Sequence, residues 1–93
     1  MSFELIEEIK KKVPERFHAE PDFKALIDTV RLNEIHSKID LLAYFEREIK
    51  DIEIWITGNI KTGGTIVKDL RDKMIRLGSL KSGQKYIEEY CLG

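Results

Sequence analysis

A chain of 93 residues supports one domain with one modest core, which excludes two independent domains. Its charged share of 35% exceeds the ordinary value of about 25%, but Lys+Arg 16 against Asp+Glu 17 leaves a net charge of -1 and no global field for nucleic acid or a membrane surface. The lone cysteine, Cys91, excludes an intrachain disulfide and a cysteine metal cluster, and no apolar run nears the roughly 18 residues that span a bilayer.

Residues 3–13 read as a short amphipathic helix, with Leu5, Ile6, Ile9 and Val13 on one stripe. Glu4, Glu7 and Glu8 lie near its start and Lys10, Lys11 and Lys12 near its end, as the helix dipole favours. Pro14 stops it, and the segment to Glu20 is a connector carrying Phe17 and His18. Pro21 suits the first position of a second helix, in which Phe23, Leu26, Ile27 and Val30 share a face.

The apolar pattern resumes at Ile35 and Ile39 and continues through Leu42, Phe45, Ile49, Ile52 and Ile56, the last five in steps of three and four. One helix over 21–60 would be about 60 Å long, too long to fold back within a single small globule. The pattern therefore predicts a break near Leu32-Asn33-Glu34, with Asn33 as a new cap, and a long helix over 34–57. Asp51–Thr57 alternates apolar and polar residues, so a short strand at 51–57 competes with the helix, which the wider pattern favours.

Gly58-Asn59 and Thr62-Gly63-Gly64-Thr65 are turn signals. Thr65 is expected to cap another helix, with Ile66, Val67, Leu70, Met74 and Leu77 on its inner side and Gly78 as its stop. Ser82-Gly83 signals a further loop, after which Tyr86, Ile87, Tyr90 and Cys91 suggest one or two last helical turns. The expected fold is all-α, a single domain over 1–93 of about four helices with one long central helix.

Each chemical constellation meets a specific obstacle. Gly58 to Thr65 has the glycine spacing of a phosphate-binding loop, but Gly64 stands where the phosphate-reaching lysine belongs. Glu15-Arg-Phe-His18 has the carboxylate–imidazole spacing of di-iron bundles, yet lies in a connector between two prolines. His36 reads as a boundary residue, and Cys91 as a small packing residue. No catalytic, cofactor or metal site follows, and a non-enzymatic protein is expected.

Two surfaces remain as candidates. The first is the long-helix seam with its flanking aromatics, Leu42, Tyr44, Phe45, Ile49, Ile52, Trp55 and Ile56, expected to mediate self-association or hold a protein partner. The second is charge-based. Residues 1–60 hold nine basic and thirteen acidic side chains, whereas 61–85 hold Lys61, Lys68, Arg71, Lys73, Arg76, Lys81 and Lys85 against Asp69 and Asp72. That segment would serve a small dimeric nucleic-acid-binding regulator. A helix-turn-helix layout over it is spoiled by Met74 where a small residue is wanted, and a winged layout by having one helix too few.

The first surface is favoured: a homo-oligomeric interaction module, of the kind a virus or an archaeon uses as an accessory protein. Thirteen isoleucines and three amides give it a thermophile-like composition, and the acidic start Met1–Glu8 is unlike a secretory signal, so the expected location is the cytoplasm.

Overall fold

The computed structural model describes residues 3–62 and 67–92, which form four α-helices in an all-α bundle with no strand among them. They are α1 (Phe3–Lys12), α2 (Pro21–Leu32), α3 (Lys38–Thr62) and α4 (Val67–Tyr86). A 3-10 turn (Glu15–Phe17) links α1 to α2, and a π-helical turn (Ile87–Cys91) follows α4. Among the described residues no helix is long and apolar enough to cross a membrane.

The first two helices follow the sequence pattern. Leu5, Ile6, Ile9 and Val13 are buried, as are Phe23, Leu26, Ile27 and Val30. Pro21 takes the first turn of α2, where its missing N–H costs nothing.

The break between α2 and α3 lies where expected, but its chemistry differs. Asn33 closes α2 instead of opening α3, its side-chain amide donating to the Thr29 carbonyl at 2.9 Å. Glu34 takes a left-handed backbone, with φ at 51°. The Glu34 amide donates to the Arg31 carbonyl and the Ile35 amide to that of Val30, the paired bonds of a Schellman ending. Ser37 opens α3, its hydroxyl accepting from the Asp40 amide at 3.1 Å, and Ser-x-x-Asp is a capping signal.

From Lys38, α3 runs unbroken through 51–57, so the alternating stretch is helix and the competing strand does not form. The helical face of Leu41, Phe45, Ile49 and Ile52 is buried, whereas Ile54, which a strand would have turned inward, is 61% exposed. Gly58-Asn59 is not a turn but lies inside α3, with the Asn59 amide donating to the Trp55 carbonyl at 2.8 Å. Thr65 and Ile66 lie outside the described residues.

The largest departure is α4. It neither stops at Gly78 nor breaks at Ser82-Gly83, and runs from Val67 to Tyr86 before passing into the π-turn. Gly83 is buried because the helix approaches its neighbours closely there. A Cβ on it would lie 2.9 Å from Phe45 Cζ and 3.7 Å from Leu26 Cβ. The glycine that looks like a loop residue is the contact point of three helices.

The core sits at one end. It joins α1, α2, the first half of α3, and Leu80, Ile87 and Cys91 from the C-terminal part. There α4 packs on both α2 and α3. Lys38 ties this end together, its ammonium 3.2 Å from Glu8 Oε2 of α1 and donating to the Cys91 carbonyl at 3.1 Å. Glu8 Oε2 is shielded from solvent and makes no hydrogen bond of good geometry, so this ion contact is what neutralises it.

Candidate interaction surface

Helix lengths decide what is left uncovered. At 1.5 Å per residue α3 is about 37 Å long and α4 about 30 Å, against roughly 15–18 Å for α1 and α2. The two long helices therefore project beyond the base as a two-helix arm, and the chain measures 45 × 25 × 23 Å. Within 53–59 and 67–79 no residue is buried. Two helices alone cannot enclose an apolar stripe from both sides.

The arm nevertheless carries apolar residues. Ile54, Val67, Met74 and Ile75 are exposed, and Trp55, Ile56, Leu70 and Leu77 are half-buried. Val67 and Met74 were expected on the inner side of their helix; they are 73% and 58% exposed because α3 covers only one flank of α4.

The two sides of the arm differ. Glu53 and Trp55, two positions apart, point about 200° from each other around α3. On the Trp55 side the surface is polar. Lys73 Nζ lies 5.5 Å from the Trp55 ring centre, and Arg76 donates to both Tyr44 Oη and Glu48 Oε1 at 3.3 Å. Arg47 adds a second cation over Tyr44 at 5.7 Å. On the Glu53 side lies an open groove of about 450 Å³, lined by Ile56, Leu70, Met74, Leu77 and Gly78 and bounded by Glu53 and Lys81. Those last two form an ion pair at 3.6 Å, half-exposed on both sides.

The seven residues of the expected seam thus fall into three groups. Phe45, Ile49 and Ile52 are buried in the chain's own core, which corrects the view that one short chain has little to cover them. The continuous α4 supplies that cover. Leu42 and Tyr44 pack at the core's edge, Tyr44 edge-on to Phe45 with ring centres 6.0 Å apart. Trp55 and Ile56 belong to the arm, Trp55 on its polar side and Ile56 in its groove. Leu70, Met74 and Leu77 have the spacing of an inner face and Gly78 that of a helix stop, so none of the four is marked as surface by the sequence.

The seven basic residues do not form one patch. Arg76 pairs with Glu48, Lys81 with Glu53 and Lys85 with Glu89, while Lys73 stacks on Trp55. Lys68 and Arg71 are left without an ion pair among the described residues. The side chain of Lys61 lies outside them. Two of these pairs, Arg76–Glu48 and Lys81–Glu53, join α4 to α3.

The candidate chemistry at Glu15 and His18 is structural in this fold. The His18 ring stacks on Phe23 at 4.6 Å and its Nε2 donates to the Val13 carbonyl at 2.9 Å, so that nitrogen holds a proton and not a metal. Among the described residues no cluster of three or more His, Cys, Asp or Glu could hold a metal ion. Gly63, Gly64 and Thr65 of the glycine-spaced loop lie outside the described residues, and its first half is the end of α3.

No protein-family model, curated protein or solved structure matches this chain.

Proposed function

We propose that the chain is a non-enzymatic interaction module that associates with a second copy of itself through the α3–α4 arm, the base serving as a rigid support. One observation carries this reading: the chain exposes more surface than a compact monomer of its size. Its accessible surface is 6468 Å², against about 5,600 Å² for a folded monomer of 10.9 kDa. The radius of gyration is 14.6 Å, where a compact chain of this length has about 12 Å.

The surplus is about 900 Å², close to the roughly 800 Å² that each partner buries in an interface of standard size. The arm carries the exposed apolar residues Ile54, Val67, Met74 and Ile75, so association there would cover apolar surface that folding leaves in water. The flanking charges, most of them already paired, would set register more than affinity.

Molar mass by light scattering over a range of concentrations, with and without mixed DNA and RNA, tests the proposal. The expected result is twice the 10.9 kDa chain mass, unchanged by nucleic acid. A mass of one chain at every concentration rejects self-association. A rise in mass that appears only with nucleic acid, and vanishes at high salt, points to the basic segment instead.

A further inference from the structure

We infer that the π-turn is a strap that opens as a unit ahead of global unfolding, and that Lys38 is the latch holding it shut against α1. The strap lies in the base, away from the arm, so it stands or falls independently of self-association.

The turn is fastened differently from the helix that leads into it. Gly83 brings α4 against Phe45 of α3 and Leu26 of α2, and that contact does not involve the turn. Residues 86–91 reach other neighbours. Ile87 and Cys91, four positions apart, are 0% and 1% exposed. Tyr86 lies edge-on to Phe23 at 5.7 Å, and Phe17 of the 3-10 turn lies 5.7 Å from Tyr86 and 6.0 Å from Tyr90. The turn packs on α1 and α3, and α1 is itself held chiefly by α2 and by this turn.

Lys38 makes two polar fastenings at once. Its ammonium neutralises Glu8 Oε2 of α1 at 3.2 Å and caps the Cys91 carbonyl at 3.1 Å, one of the carbonyls that a helical end leaves without a partner of its own. Taking the ammonium away strands a solvent-shielded carboxylate oxygen and a carbonyl together. Loss of a half-exposed ion pair such as Lys81–Glu53 strands neither. Two buried side chains and one cation are a small anchorage beside the four-helix core, and segments held by few buried contacts open first. Opening brings the Cys91 thiol into water, where it serves as the reporter of the strap.

The test is the rate at which an aromatic disulfide reagent labels Cys91 at pH 8, in urea below the unfolding transition. Three dilute proteins are compared: the parent chain, Lys38→Met and Lys81→Met, each checked for helix content by circular dichroism. In the parent, labelling should rise with urea less than about half as steeply as global unfolding does, because the slope scales with the surface exposed. Lys38→Met should label about tenfold faster without urea, at an unchanged slope. Lys81→Met should stay within about twofold of the parent. Lys38 is one of the charges that lower the thiol pKa, so its loss would by electrostatics alone slow labelling, and acceleration reports opening. A parent whose labelling follows the global unfolding slope from the lowest urea has no separate strap, which overturns the inference before any variant is read. Lys38→Met labelling no faster than the parent, or Lys81→Met labelling as fast as Lys38→Met, rejects Lys38 as the latch.

Discussion

Three glycines inside helices show how one residue type serves different ends. At Gly83 the missing side chain is a packing requirement. An added methyl would press against the end of the Phe45 ring, and Phe45, 1% exposed, has no room to yield. Gly83→Ala gains about 1 kcal/mol of helix propensity but incurs the 1–3 kcal/mol of overpacking a filled core, and should lose about 1 kcal/mol net. Gly58 meets nothing within 4 Å, so Gly58→Ala should gain about 0.5–1 kcal/mol. Urea midpoints of the two variants, moving in opposite directions, check both; a stabilised Gly83→Ala would mean that the three-helix contact is looser than its geometry. Glycine in a sequence says that a side chain is absent, not why. Gly78 and Ser82-Gly83 were legible as helix ends or loops only because turns are the commonest reason, and a buried close approach leaves no local mark. Ser37-x-x-Asp40, by contrast, was a readable start signal for α3, masked by the more conspicuous Asn33.

At the scale of elements, the end of α4 and the π-turn that follows it carry the two groups whose titration is shifted, Tyr86 and Cys91. Burial pushes the Cys91 thiol above its ordinary value of 9.0, and Glu8 raises it further, while Lys12 and Lys38 pull it back. The folded state thus holds the proton more tightly than the unfolded chain. Its contribution to stability is complete below about pH 9 and is lost as pH rises through the folded value. Tyr86 is shifted upward too, by burial and then by Glu20, Asp22 and Tyr90, and acts in the same direction at higher pH. Denaturant midpoints should therefore fall on the alkaline side of pH 9, and Cys91→Ala should flatten the first part of that fall. Thiol reagent at pH 8 should label the folded chain far more slowly than the urea-unfolded one; equal rates would show that the turn opens freely. The helices themselves were largely legible. Amphipathic stripes gave α1 and α2 residue by residue, because each of those short helices has one buried face and the 3.6-residue period records it. The period misleads for the second half of α3, where apolar residues occur all round, and for the first half of α4, where Val67, Leu70, Met74 and Leu77 keep helical spacing on a face that is not buried.

At the scale of the whole chain, that failure marks a physical boundary. The base encloses its core with four helices, while the arm has two and encloses nothing. The sequence carried the apolar residues of both parts in one continuous pattern, so the seam at Phe45, Ile49 and Ile52 looked free when α4 covers it, and Val67 and Met74 looked covered when they are not. Which part of a pattern is spent on the chain's own core depends on how far α4 runs, a tertiary fact that spacing does not record. The division predicts two stabilities in one chain. Backbone amides of 53–59 and 67–78 lack a buried layer and should open locally, while those around Phe23, Leu41 and Phe45 should exchange only on global unfolding. If a second copy covers the arm, local opening requires dissociation first, and arm exchange becomes concentration-dependent by mass action. Hydrogen exchange read at low and high protein concentration should show the arm protected about tenfold more for each tenfold excess over the dissociation constant, with the base unchanged. Arm exchange that is fast and independent of concentration would leave the two helices as a bare projection. Uniform slow exchange along both helices would show that the hairpin sustains itself without a partner.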